Sequence, residues 1–265
     1  MEYIFRVLFF VVCICDYGVW LFSITNFWGD LSCLTQAPGY GVAHFADQMF
    51  KDKNDSLQGK RCMILGSGKL ARSLAEKLIE FGAIPITFSD ASGNVYEPDG
   101  ITSGQLRTIN KIKEERGALL GRYIISSTTA QFNDPNDIFD IPCDIVFPCA
   151  NIGAITSAVA DKLADNGCQA VVEGANSAVT VDARKTLKKR GMMYAPHTLT
   201  LTGTAIVNSL GKSATDEDLA QHCARIYKEV KKTATEFNMR GDLYSGANIQ
   251  GFLHVANVMM THGAT

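Results

Sequence analysis

A short apolar run, Arg61 to Leu65 (RCMIL), leads without a break into Gly66-Ser67-Gly68-Lys69-Leu70-Ala71. Behind it Ala71, Leu74, Ala75, Leu78 and Ile79 recur at helical spacing, so the segment reads as strand, glycine turn, helix. G-x-G-x-x-A has chemical meaning only in that setting. The first glycine makes the tight turn, and the second lets a diphosphate approach the backbone N–H groups at a helix N-terminus. Phe81-Gly82 supplies a left-handed stop for the helix. A second strand, Pro85 to Phe88, then delivers Ser89 and Asp90, the latter 24 residues after Gly66. That is close to the ~20 expected for a carboxylate facing an adenosine ribose. Gly66, Ser67, Gly68, Lys69 and Leu70 are therefore candidate phosphate-binding residues, with Ser89 and Asp90 at the ribose. The bland alternative is a glycine turn that binds nothing, with Asp90 capping a turn.

The pattern continues with strands at Asp144–Pro148, Ala170–Val172 and Met192–Ala195, and helices at Thr156–Ala164 and Val181–Arg190. Alternating strand and helix predicts an α/β fold of Rossmann type, a doubly wound parallel sheet, closed by C-terminal helices at 216–237 and 248–262. Ligands of such sheets bind where the strands end, which adds Ala150, Asn151 and Asn176 to the candidates. Val42, Phe45, Ala46, Met49 and Phe50 predict a helix over 41–50.

With 46% hydrophobic residues the chain has ample core material, and 25 basic against 27 acidic residues leave no electrostatic footprint for nucleic acid. Eight cysteines without a C-x-x-C pair read as reduced thiols of a cytoplasmic-type compartment, mitochondrial and membrane-associated settings staying open. Residues 1–34 stand apart as an atypical hydrophobic segment. Asp16 and Gly18 interrupt the ~20 apolar residues a membrane span needs, and no A-x-A cleavage site follows. Membrane association of 1–34 is thus the less favoured reading, and a segment foreign to the domain at 35–265 the preferred one. The five histidines are scattered without a metal-ligand spacing, so no metal site is expected.

Seven segments, in order, carry a family resemblance: GYG at Gly39–Gly41, LQGKRCMILGSGKLA at Leu57–Ala71, SDASGNVYEPDGI at Ser89–Ile101, IPCDIVFPCA at Ile141–Ala150, EGAN at Glu173–Asn176, YAP at Tyr194–Pro196 and GANIQGFLHVAN at Gly246–Asn257. Through them the chain resembles the NAD(P)-dependent glutamate dehydrogenases, especially the NADP-type hexameric enzymes, over roughly residues 35 to 264. The resemblance implies oxidative deamination of L-glutamate to 2-oxoglutarate, with NADP or NAD held by this cofactor-binding domain. It also implies partners, other glutamate dehydrogenase subunits that touch chiefly through a second domain.

That second domain, with its glycine-rich, lysine-bearing motif, has no counterpart before Thr35. Departures cluster at the nicotinamide and substrate end. Pro38 replaces a threonine of the family's A-T-G-Y-G segment, and Leu201-Thr202-Gly203-Thr204-Ala205 stands for N-A-G-G-V. Asn208 stands for a serine that would meet the distal carboxylate, and Asn151-Ile152-Gly153-Ala154 for T-Q-N-E. Lys69 replaces the usual asparagine and adds positive charge beside the phosphates. No catalytic residue is assigned. The chain is expected to bind a dinucleotide and to be inactive alone, the alternative being a catalytically silent nucleotide-binding module or partner subunit.

Overall fold

Leu65 and the three residues before it are buried on a strand that has parallel partners on both sides. The computed structural model describes residues 32–210, 214–261 and 263. Its strands are β1 (Arg61–Leu65), β2 (Ile84–Pro85), β3 (Thr87–Asp90), β4 (Gly93–Tyr96), β5 (Gln131–Asn133), β6 (Ile145–Pro148), β7 (Ala170–Val172) and β8 (Met193–Ala195). Its helices are α1 (Ser32–Lys51), α2 (Lys69–Glu80), α3 (Ser103–Glu114), α4 (Ser157–Asp165), α5 (Val181–Lys189), α6 (His197–Thr200), α7 (Gly203–Leu210), α8 (Asp216–Glu236) and α9 (Leu243–Thr261).

The parallel sheet runs β2-β1-β6-β7-β8. Counted within the sheet, that is second, first, third, fourth, fifth, so the winding direction reverses between β1 and β6, and ligand crevices of open α/β sheets open at such a reversal. Two cores sandwich the sheet. One joins Ile64, Phe147 and Val172 to α1, α2 and α8, and the other joins Met63, Val146 and Val171 to α4 and α5. The expected doubly wound α/β fold is what the chain forms.

Local chemistry explains most boundaries. Thr156, Thr180 and Thr215 cap α4, α5 and α8 with side-chain hydroxyls. Helix α2 stops at Gly82, whose φ is +75°, while Ala83 N–H reaches back to the Leu78 carbonyl at 2.9 Å. Helix α1 begins nine residues ahead of the expected 41–50 and carries Pro38 inside it. Gly39 and Gly203 let helices meet backbone to backbone: a Cβ on Gly39 would lie 2.5 Å from Leu74 N, and one on Gly203 2.3 Å from the Ala37 carbonyl oxygen.

The expected strand at 85–88 divides in two. Ile86 N–H donates to the Cys62 carbonyl at 2.9 Å, but at the next position the fully buried Thr87 hydroxyl takes over the ladder. It accepts from Ile64 N–H at 3.0 Å and donates to the Ile64 carbonyl at 3.2 Å, which frees the Thr87 backbone to join an antiparallel sheet of β3, β4 and β5. Replacing Thr87 by valine keeps the shape and strands both Ile64 groups. A loss of about 1–3 kcal/mol is expected, read as a lower urea midpoint at unchanged m.

The last helix begins at Leu243, ahead of the expected 248–262, and several of its apolar residues are exposed. The stripe Phe252, Val255, Ala256 and Met259 on the last helix is not buried: Phe252 is 67% exposed, and α9 is anchored by Leu243 and by Gly246. Residues 1–31, where nearly all of the hydrophobic segment falls, lie outside the described residues. Among the described residues no helix is long and apolar enough to cross a membrane, and no group of three or more His, Cys, Asp or Glu could hold a metal.

Candidate functional site

Gly66 and Gly68 are glycines for opposite reasons. Gly66 has φ +106°, and a Cβ there would sit 2.9 Å from Ala150 Cβ, so the fold itself requires it. Gly68 has φ −70° and ψ −179°, which any residue can adopt, and a Cβ there would meet nothing within 4 Å. Gly68 is the N-cap of α2 and has no side chain to cap it. The first-turn N–H groups of a helix have no intrahelical acceptor, so those of α2 face an open volume beside an exposed Lys69. This is the arrangement that takes an anion at a helix N-terminus.

The strand ends converge on that volume. Ser89 locks the glycine turn: its hydroxyl accepts from Gly66 N–H at 2.8 Å, and its own N–H donates to the Gly66 carbonyl at 3.3 Å. Ala150 abuts Gly66, and Leu70 lies against Gly174, whose Cβ would be 3.2 Å from Leu70 Cδ2 and 2.5 Å from Cys149 Sγ. The loop after β6 is zipped to the loop after β7 by Gly153 N–H to the Ser177 carbonyl and Ile155 N–H to the Ala178 carbonyl, both 2.9 Å. Asn151, at φ +60°, is exposed on that loop, Asn176 is half-buried beside it, and Ser67 is buried in the turn. Thus Gly66, Leu70, Ser89 and Ala150 are brought into direct contact or close packing, with Asn151 and Asn176 on the shoulders.

Asp90 is engaged elsewhere. Its Oδ1 accepts from Ser92 N–H at 2.9 Å and from the Ser92 hydroxyl, and its Oδ2 accepts from Lys113 Nζ at 3.0 Å and Leu120 N–H at 2.7 Å. Burial by itself would raise its pKa, but the bonds from Ser92, Lys113 and Leu120 together hold the carboxyl below the usual range. At neutral pH this carboxylate is charged, matched by an ammonium, and spends its acceptors on the segment from 92 to 120.

The residue that shapes the far side of the site is Glu173, 1% exposed at the end of β7. Oε1 accepts from Val179 N–H at 2.7 Å, while Oε2 accepts from Tyr194 OH at 2.9 Å and His197 N–H at 2.7 Å. His197 Nδ1 lies 3.0 Å from Oε2, and the Thr200 hydroxyl donates to the Glu173 carbonyl. One buried carboxylate therefore fixes both the turn 174–179 and the start of α6. Its sequence signal is a glutamate placed directly after the apolar run AVV, where a charge is costly unless it is used. Glu97 does the same for the smaller sheet, accepting from Gln105, Tyr123, Ser127 and Thr129.

A surface groove of about 560 Å³ between α1 and α8 is lined by Lys51, Asp52, Tyr227 and Lys231 among others. Three of its four lysines are matched by carboxylates, Lys51 by Asp47, Lys231 by Asp52 and Lys232 by Glu236.

The chain matches the family model described as Glutamate/Leucine/Phenylalanine/Valine dehydrogenase over residues 29–263. It is 35% identical over 250 residues to an NADP-specific glutamate dehydrogenase of Chlorella sorokiniana, covering 89% of this chain and 47% of that protein. With the NADP-specific glutamate dehydrogenase of Helicobacter pylori it shares 34% over 254 residues, covering 89% and 56%. Among solved structures, glutamate dehydrogenase 2 of Plasmodium falciparum superposes with TM-score 0.82 at 36% identity, over 88% of this chain and 53% of that one. A second Plasmodium falciparum glutamate dehydrogenase superposes with TM-score 0.84 at 31% identity, over 90% and 54%. The chain spans about half the length of the relatives it matches. With the family model matching most of its length and the fold shared at this identity, the chain belongs to the Glutamate/Leucine/Phenylalanine/Valine dehydrogenase family.

Proposed function

We propose that residues 32–263 form the dinucleotide-binding half of a glutamate dehydrogenase-type oxidoreductase, and that the 265-residue chain by itself binds NADP or NAD without turning over glutamate. The observation that carries the reading is Gly68: a glycine that neither backbone conformation nor packing requires, at an uncapped helix start, beside open space at the sheet's reversal point. A diphosphate fits that description. The N–H groups of the α2 first turn would receive it, with Gly66 and Ser89 holding the turn and Lys69 adding charge. The nicotinamide, when bound, supplies the hydride-accepting ring, and the 174–179 loop held by Glu173 would border it.

The engagement of Asp90 with Lys113 bears on cofactor choice. A free carboxylate at this position would accept from a ribose 2′-hydroxyl and repel a 2′-phosphate. Here the carboxylate is compensated, which supports NADP, the cofactor named for the Chlorella and Helicobacter relatives. The family reading also supports other glutamate dehydrogenase subunits as partners. Cys62, Cys143, Cys149, Cys168 and Cys223 are free thiols, in keeping with a reducing, cytoplasmic-type compartment.

Calorimetric titration of the purified chain with NADP, NAD and ADP-ribose tests the reading. Saturable binding is expected, with NADP tighter than NAD. Absence of heat from all three at millimolar concentration would overturn the dinucleotide site.

A further inference from the structure

At the amino end of the parallel sheet, remote from the glycine turn, two thiols stand side by side. Strands β6 and β7 pair in parallel with Ile145 opposite Ala170 and Val146 opposite Val171. Cys143 and Cys168 lie just ahead of these two strands, where Gln169 N–H still donates to the Asp144 carbonyl at 2.8 Å, and each thiol is the other's interacting neighbour. Neighbouring strands run about 4.8 Å apart, inside the 4.4–6.8 Å Cα separation that a disulfide spans. Both side chains lie on the same face, packed with Met63, Val146 and Val171, whereas Cys62 packs with the opposite core. Each keeps 5% of its surface exposed.

We propose that Cys143 and Cys168 are a peroxide-oxidisable dithiol, which closes to an intramolecular disulfide without rearrangement of the sheet. In the first step the Cys168 thiolate attacks one oxygen of hydrogen peroxide. The O–O bond breaks, sulfur gains a hydroxyl as sulfenic acid, and hydroxide leaves to be protonated to water. In the second step Cys143 sulfur attacks the sulfenic sulfur, the S–O bond breaks and a second water departs. Two thiols and one peroxide give one disulfide and two waters.

Cys168 is the better first nucleophile because the Cys143 thiol holds it below the usual thiol range, against the opposing effect of burial, and the Ala170 backbone adds to the effect. Its Sγ also lies 3.4 Å from the Ala170 carbonyl and 3.6 Å from that of Asp144, which fixes it on the Cys143 side of the strand. Among the described residues Cys149 and Cys223 have no neighbouring thiol of this kind, and burial pushes both of their thiols up, Cys223 to about 12.

The test exposes the folded, reduced full-length chain to graded hydrogen peroxide and maps cysteine peptides by mass spectrometry. The expected product is a linked Cys143–Cys168 peptide pair, 2 Da lighter than the two thiol peptides and released by dithiothreitol. In Cys143→Ser, Cys168 is expected to accumulate as a sulfenic acid trapped by dimedone. Oxidation of Cys149 or Cys223 ahead of this pair, or conversion of Cys143 and Cys168 to sulfinic acids without a linked peptide, would overturn the proposal. The wild-type map decides it even where the serine variant fails to fold.

Discussion

Replacing Gly68 by leucine is expected to remove dinucleotide binding while leaving the fold and its urea midpoint nearly unchanged. The backbone at 68 sits at φ −70° and ψ −179° with nothing within 4 Å of a new Cβ, so no strain or clash opposes the substitution in the free chain. Giving up a glycine gains about 0.4–1 kcal/mol from the unfolded state, offset by a comparable cost of about 0.5–1 kcal/mol because leucine is a much poorer N-cap than glycine. In the complex the same side chain occupies the space where phosphate oxygens meet the N–H groups of the α2 first turn. Losing two charge-assisted hydrogen bonds of about 1.5–3 kcal/mol each lowers affinity ~10²- to 10⁴-fold. Gly66→Ala is the control with the opposite signature. Its φ of +106° and the 2.9 Å approach to Ala150 make it destabilising, so any binding loss there is tied to a lower midpoint. Equal affinity of wild type and Gly68→Leu for NADP would show that the open volume beside α2 is not where the diphosphate goes.

The parts of this chain that could be read from sequence are those in which one residue type has one physical use. RCMIL followed by two glycines and an apolar helical stripe can be little else than β1, its turn and α2, and Gly82 ends that helix as expected. Helix α3 was also within reach: Thr102 and Gln105 form a capping box, and Leu106, Ile109 and Ile112 face the core. Strands β4 and β5 were not. They are four and three residues long, and Gln131 and Phe132 are exposed, so no alternation marks β5. The ladder role of Thr87 was equally hidden, because a hydroxyl in a strand looks the same whether it faces solvent or replaces a backbone bond. Asp90 shows the limit at the site itself. Spacing offered Asp90 as a carboxylate for a ribose, but in the folded chain it ends β3 of the smaller sheet, and Lys113 and Leu120, 23 and 30 residues further on, take up one of its oxygens. The Glu173 hub depends likewise on Val179, Tyr194 and His197 arriving from three different elements.

Glutamate-dependent reduction of NAD or NADP by this chain alone is expected to be undetectable. Deamination at the glutamate Cα needs a lysine of depressed pKa, an acid/base carboxylate and cations for two substrate carboxylates. Lys77 is the one buried lysine among the described residues. Burial by itself would depress it, but its bonds to Asp216 at 2.7 Å and Glu80 at 2.5 Å hold its pKa above the ordinary value, so it stays an ammonium. Among the described residues the buried carboxylates are all engaged within the fold: Glu97 accepts from four donors, Glu173 from three, and Asp47 pairs with Lys51 at 2.6 Å. The segments that depart from the family pattern, around Pro38 in α1 and Thr204 and Asn208 in α7, are pressed together where Gly203 meets the Ala37 carbonyl, which leaves them packing each other. The candidate acid, base and cationic groups among the described residues are engaged within the fold, so these residues do not by themselves supply the orientation contribution of about 7–11 kcal/mol. Loss of acid/base groups removes a further ~10²- to 10⁴-fold. The assay follows absorbance of the reduced cofactor with the chain alone and with the chain mixed into a full-length glutamate dehydrogenase of the family. Turnover by the chain alone anywhere near the ~10 s⁻¹ of an ordinary enzyme would refute the half-site reading. Rescue only in the mixture would identify it as a subunit that lends its dinucleotide to a neighbour's glutamate. Silence in both, with NADP still binding by calorimetry, would leave a nucleotide-binding module whose hydride chemistry is gone.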